Sequence, residues 1–221
     1  MSVHRRRILV INPNSNETVT EGISEALNAL RVEGGAEIVC HTLHSGPYGI
    51  ESQKDIDSVS VPLSLKVAEN QDFDAFVIAC YSDPGLFVCR EMTSKPVFGM
   101  QESAVLTALA RGDRFGVIAI AEASIKRHRR YLRQMDLDRR LAGERALEMS
   151  VAESASGEGS LEKMIEVGKL LKREDGADVV ILGCAGMAIH RNALERELGV
   201  PVIDPTQAAV TMALGAVLLS S

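Results

Sequence analysis

The 221-residue sequence contains no tryptophan, and aromatic residues make up only 4% of it. It therefore offers few rings on which bases could stack. With a net charge of −6 it also has no basic footprint, so nucleic acid is excluded as a partner. No apolar run approaches the ~20 residues of a transmembrane helix, because Gly, Pro or a charge interrupts each one; a membrane is excluded on the same reading. The four cysteines, Cys40, Cys80, Cys89 and Cys184, include no CxxC pair and read as reduced thiols, not a disulfide framework. Met1 to Arg7 runs directly into a strand-like segment with no signal-peptide core, which predicts a cytoplasmic protein. G-x-G-x-x-G, P-loop and G-x-S-x-G patterns are missing, which argues against nucleotide binding and serine-hydrolase chemistry. His41 and His44 lack a carboxylate-rich partner segment, so metal binding is not expected.

What the chain does contain is an internal echo. Asp74-Ala75-Phe76-Val77-Ile78-Ala79-Cys80 is answered by Asp178-Val179-Val180-Ile181-Leu182-Gly183-Cys184: an acid, five mostly apolar residues, a thiol. Arg7-Ile8-Leu9-Val10-Ile11 is answered by Arg114-Phe115-Gly116-Val117-Ile118, and Pro96-Val97-Phe98 by Pro201-Val202-Ile203. The spacing is roughly a hundred residues each time, too long for a solenoid repeat and suited to two similar lobes.

Short Val- and Ile-rich runs at Ile8–Ile11, Ala75–Ala79, Val97–Phe98, Phe115–Ile120, Val179–Leu182 and Val202–Ile203 predict parallel strands buried on both faces. Weaker strand candidates lie at Ala36–Leu43 and Leu147–Val151. Helical patterns fall between them, at Glu17–Arg31, Ser52–Glu69, Pro84–Met92, Glu102–Ala110, Ala123–Met135, Leu161–Lys172, Ala188–Leu198 and Thr206–Leu218. This alternation predicts an α/β fold: two similar lobes related by a pseudo-twofold axis, each a mostly parallel sheet flanked by helices, with the active site in the cleft between them. Residues 1–98 plus the C-terminal helix from about 205 to 221 are expected to form one lobe, and 99–204 the other. The irregular segments His44–Gly49 and Ser154–Ser160 occupy matching places and are expected to overhang the site.

Both Cys80 and Cys184 fall at strand ends, where such folds bind ligands. Ser82 or Asp83 reads as an N-cap and Pro84 as the first turn of a helix, whose N-terminus would lower the pKa of Cys80. Cys184-Ala185-Gly186-Met187 reads as a parallel turn with room for a ligand. A lone cysteine of this kind is usually a small buried hydrophobe; two in duplicated positions leave packing and catalysis both open. The cluster Asn12-Pro13-Asn14-Ser15-Asn16 holds more amides than a helix cap requires and could donate to a carbonyl gaining negative charge. Cys40 and Cys89 read as packing residues, and the basic run Lys126–Arg133 as a solvated helix or subunit contact.

Taken together, Ile11-Asn12-Pro13-Asn14-Ser15, Gly46-Pro47-Tyr48-Gly49-Ile50-Glu51-Ser52, Ala79-Cys80-Tyr81-Ser82-Asp83-Pro84-Gly85-Leu86 and Gly183-Cys184-Ala185-Gly186-Met187 resemble the aspartate/glutamate/hydantoin racemase superfamily, most closely its hydantoin and allantoin racemases. The resemblance spans essentially the whole chain. It implies a cofactor-independent isomerase and a homo-oligomer acting on a small molecule, with Cys80 and Cys184 as the acid/base pair. It further implies that Asn14, Ser15, Tyr81, Ser82, Ala185 and Gly186 line the substrate site. Ala185 stands where family members often carry threonine, so one hydroxyl contact is missing. The implied reaction is racemisation at a carbon between carbonyl and nitrogen, as in a 5-substituted hydantoin or allantoin. An amino-acid racemase, a single-cysteine decarboxylase or isomerase, and a non-catalytic binding or maturation protein that kept the fold remain as alternatives.

Overall fold

The computed structural model describes residues 5–156 and 159–219. The first four residues of the N-terminal segment, Gly157-Glu158 of the second irregular segment and the last two residues lie outside that description. Four strands, β1 (Arg7–Asn12), β2 (Glu37–Thr42), β3 (Ala75–Ile78) and β4 (Val97–Gly99), form one sheet in the order β2-β1-β3-β4. Four more, β5 (Phe115–Ala119), β6 (Leu141–Ala146), β7 (Val179–Leu182) and β8 (Val202–Ile203), form a second in the order β6-β5-β7-β8. Every pairing is parallel. The duplicated sequence is thus a duplicated topology.

The acid that opens each repeat has a structural job. Asp74 accepts a hydrogen bond from the Arg7 N–H (2.8 Å) and Asp178 from the Arg114 N–H (3.0 Å), so each carboxylate staples the start of its lobe's central strand. The opposite end of the same repeat carries the cysteine. Gly183 differs from its counterpart Ala79 for a steric reason: a Cβ there would lie 2.5 Å from the Ile118 carbonyl oxygen.

The helices are α1 (Glu17–Ala26), α2 (Gln53–Glu69), α3 (Leu86–Glu91), α4 (Met100–Leu109), α5 (Glu122–Gln134), α6 (Val151–Ser156), α7 (Ser160–Arg173), α8 (Arg191–Leu198) and α9 (Pro205–Leu219). Side chains at alternate positions of β1 separate its two faces. Ile8 and Val10 join a core continuous with Phe115, Val117 and Ile181 of the second sheet, whereas Leu9 and Ile11 pack with Val59, Leu63 and Phe76 in a smaller outer core. α4 and α9 pack on each other, and α9 also covers β1, β3 and β4, so the C-terminal helix returns to the first sheet.

Two expectations require correction. Leu147–Val151 is not a strand: the edge strand is β6, Leu141–Ala146, and Val151 begins α6. β6 carries Gly143, Glu144 and Arg145, and most of its residues are only half-buried. It therefore lacks the continuous apolar run of a central strand, whereas Leu147, Met149 and Val151 alternate as in a half-buried strand. The loop His44–Gly49 does not itself line the cleft; the residue just after it, Ile50, does.

Candidate functional site

Cys80 and Cys184, each two residues past the end of β3 or β7, line a single cleft whose non-atom space, open solvent included, is about 450 Å³. Val19, Ile50, Ala79, Ile120 and Val151 make its apolar wall, and Asn14, Ser82, Ser124, Arg127 and His128 contribute polar groups. Of the residues expected in the site, Cys80, Cys184, Asn14, Tyr81, Ser82 and Ala185 line this cleft. Gly186 stands one residue behind, with its N–H turned to the Cys184 sulfur. Ser15 is not on the wall; its N–H instead donates to the Pro47 carbonyl at 2.9 Å and fixes the neighbouring loop.

The three asparagines divide the work. Asn16 caps α1, its Oδ1 accepting from Thr18 N–H at 3.1 Å. Asn12 donates through Nδ2 to Asn14 Oδ1 at 3.0 Å, and Asn16 N–H donates to the same oxygen at 3.0 Å. Asn14 is thereby oriented: its oxygen is occupied within the turn, and the NH₂ is what it can offer a ligand.

The turn after Cys80 departs from expectation. α3 starts only at Leu86, with Gly85 at its N-cap in the left-handed conformation, φ 66°. Asp83, itself at φ 45°, does not cap α3 but reaches α4, accepting from the N–H groups of Gln101 (2.8 Å) and Glu102 (2.9 Å). Gly99 makes this possible, since a Cβ there would collide with the Asp83 carboxylate. Cys80 is therefore separated from a short helix by a tight turn and has a buried carboxylate close behind it. Burial, the neighbouring Cys184 and Asp83 raise its pKa, and only Arg127 and the Ser82 N–H act against them. The expected lowering by a helix N-terminus is overturned, because desolvation of the thiolate outweighs the few N–H groups facing it. Asp83 is itself pushed up to about 7 by burial, despite the backbone N–H groups of Glu102, Gln101 and Met100.

Cys184 stands at the N-cap of a short 3₁₀ helix, Ala185–His190, in extended backbone conformation. Burial raises its pKa as well, but the Ser154 hydroxyl, 3.6 Å from its sulfur, and the Gly186 N–H oppose the rise. Glu51, from the other lobe, adds to it. Glu51 also accepts from the Val151 N–H at 3.2 Å, and Gln53 accepts from Arg130 Nη2 at 2.8 Å, so these contacts bridge the lobes beside the cleft.

Sequence reasoning missed Arg127 and His128, whereas Ser154 opens the second segment expected over the site. The basic run is only partly a solvated face, since Ser124, Ile125, His128 and Leu132 of α5 are buried. His128 Nδ1 pairs with Glu144 Oε1 at 2.5 Å, and its ring stands edge-on to Tyr81 with centroids 4.9 Å apart. The helical spacing of Ile125, His128 and Leu132 was the available signal. Cys89 is fully buried and Cys40 half-buried near Arg31, and neither lines the cleft. Among the described residues no cluster of His, Cys, Asp or Glu could hold a metal, and no helix is long and apolar enough to cross a membrane.

Comparison with known proteins identifies relatives of the chain as a whole. A family model described as Asp/Glu/Hydantoin racemase matches residues 8–213. The chain is 37% identical to a hydantoin racemase of Pseudomonas sp. (strain NS671), over 94% of this chain and 84% of that one. It is 36% identical to a hydantoin racemase of Paenarthrobacter aurescens, over 94% and 89%. Among solved structures, allantoin racemase from Klebsiella pneumoniae superposes with a TM-score of 0.92 at 33% identity, covering 97% of this chain and 88% of that one.

Proposed function

The chain belongs to the Asp/Glu/hydantoin racemase family, and from that premise we propose that this racemase acts on a five-membered cyclic ureide, a 5-substituted hydantoin or allantoin, with Cys80 and Cys184 as its two bases. The observation that carries the reading is the placement of two thiols at equivalent ends of β3 and β7 on one cleft. One cysteine, as thiolate, removes the proton from the ring carbon; the other, as thiol, returns one to the opposite face. The roles exchange for the other enantiomer. Between the two transfers the ring carbon is part of an enolate, toward whose oxygen the Asn14 NH₂ is available as a donor.

The electrostatics fit a carbon acid. A thiolate formed against burial is scarcer at neutral pH but more basic, and proton abstraction from carbon requires that basicity. Burial raises both thiols, and the charge of Cys184 raises Cys80 further, so their protonation belongs to the pair.

A free amino acid fits less well. Its carboxylate has a partner in Arg127, but among the described residues that line the cleft no carboxylate stands to receive its ammonium group. A cyclic ureide carries neither charge. The test is to incubate single enantiomers of a hydantoin, allantoin and amino-acid panel in D₂O while following optical rotation and deuterium incorporation together. Loss of rotation with one deuterium at the ring carbon is expected for the ureides. Rotation unchanged across all ureides, or loss confined to amino acids, would refute the reading.

A further inference from the structure

Arg127 differs from the arginines that are tied into ion pairs. Arg6, Arg7, Arg90, Arg140, Arg145 and Arg191 each face a carboxylate. Among the described residues Arg127 makes no such pair. Its hydrogen bond runs from Nη1 to the Ala123 carbonyl of its own helix (2.9 Å), and its Nε is buried with no hydrogen-bond partner. A guanidinium N–H left dry is costly, and an acceptor brought by a ligand removes that cost.

Its position says which part of a ligand it would meet. Ser82 and Arg127 border both the catalytic cleft and an adjoining polar chamber between α2, the turn after Cys80 and α5. A substituent that leaves the reacting carbon on the Ser82 side passes the guanidinium as it enters this chamber. Arg130 stands further along it. The chamber's two carboxylates are already occupied: Asp83 by the N–H groups of α4, and Asp57 by Gln53 Nε2 at 2.8 Å.

We propose that Arg127 is a specificity-determining residue that selects cyclic ureides whose ring-carbon substituent ends in a carboxylate, which the guanidinium binds at the junction of cleft and chamber. The proposal rests on the reading of the cleft as a cyclic-ureide racemase site. Arg127 also acts on the Cys80 thiol through its charge, so loss of rate alone would not identify its role. A ratio between two substrates does, because any effect on Cys80 is common to both.

The experiment compares 5-(2-carboxyethyl)hydantoin with 5-propylhydantoin in the wild type and in Arg127→Met, Arg127→Gln and Arg127→Lys. Affinities for the corresponding 5-methyl derivatives, which have no ring-carbon proton to lose, are measured by calorimetry. The wild type is expected to prefer the carboxylate in kcat/KM. In the Met and Gln variants that preference should fall by about 30-fold, the size of one charge-assisted hydrogen bond, while Lys keeps most of it. Either folded neutral variant suffices. An unchanged ratio, with both substrates slowed alike, would overturn the proposal. If the wild type racemises neither substrate, the activity reading fails, and the calorimetric preference decides the proposal by the same criterion: an affinity ratio that collapses in the neutral variants sustains it, and one that does not overturns it.

Discussion

The surroundings of Cys80 and Cys184 differ far more than the strands that carry them. Both thiols end the third strand of identically ordered parallel sheets, each behind an aspartate that staples the strand's start. Beyond that point the lobes diverge. Cys80 is set among charges: the buried carboxylate of Asp83 behind it and the guanidinium of Arg127 before it. Cys184 is set beside two neutral donors, the Ser154 hydroxyl and the Gly186 N–H, with the Glu51 carboxylate as its one charged neighbour among the causes of its shift. Duplication placed two thiols on one cleft, and the loops and helices added to each lobe made their surroundings unequal. The proposed mechanism can tolerate such inequality, since in it each cysteine serves as base for one enantiomer and acid for the other.

The largest effect expected is loss of racemisation on replacing either thiol. Cys80→Ser and Cys184→Ser should each lower turnover by at least ~10³-fold, because a hydroxyl is a far weaker acid than a thiol and general acid–base groups contribute on that scale. Polarimetry measures this, with thermal melting to show that the variants remain folded. Cys40→Ser and Cys89→Ser are the contrast. Cys89 is fully buried and its thiol is pushed up to about 12 by burial, so its serine variant should lose about 1–3 kcal/mol of stability yet keep its turnover per folded molecule.

Smaller effects should separate the two thiols. Ser154→Ala removes a hydroxyl from Cys184 only; alkylation of Cys184 by iodoacetamide should slow about 5-fold, with Cys80 unaffected, as read by peptide mass mapping. Equal slowing at both sulfurs would erase the asymmetry drawn here. Asp83→Asn acts on the other lobe. Above pH 7 it removes a negative neighbour, and Cys80 should alkylate faster.

The Asp83 variant has a second signature in stability. The folded-state pKa of about 7 exceeds the unfolded value of about 3.9, so the folded protein holds a proton that the unfolded chain releases within that window. Stability carried by that proton is complete below about pH 4 and is lost as the pH rises to 7. Denaturant titrations across this range should show the decline in the wild type and less of it in Asp83→Asn. The smallest effect belongs to chelation: with the chemistry assigned to thiols, EDTA should leave turnover unchanged while iodoacetamide abolishes it and substrate protects. Loss of activity to EDTA, restored by zinc or manganese, would break the assignment for both lobes at once.

The framework was legible in the sequence because it is local. Continuous Val and Ile runs ended by Gly, Pro or Cys mark buried parallel strands, and the repeat of Asp-to-Cys units reveals the second lobe without any long-range information. What stayed hidden depends on contacts distant in sequence. Asp83 looks like the cap of the helix that follows it, and nothing in its neighbourhood says that Gly99 leaves room for it to cap α4 instead. Arg127 is one of several cations on a strongly basic helix, and only the packing of α5 against the cleft singles it out. Ser154 opens an irregular segment that the sequence places over the site, but nothing local says that it lies in a helical turn that brings its hydroxyl to Cys184. The raised pKa of Cys80 was misjudged for the same reason, because burial is a property of the assembled lobes.

The central claim is that two opposed thiols act on one carbon from opposite faces. It is tested most directly by exchange of the ring-carbon proton in D₂O with each single-cysteine variant and each enantiomer of a hydantoin that the wild type racemises. Cys80→Ser, retaining the Cys184 base, should exchange one enantiomer without inverting it; Cys184→Ser should exchange the other. Exchange of the same enantiomer by both variants, or racemisation at near wild-type rate by either, would contradict the account.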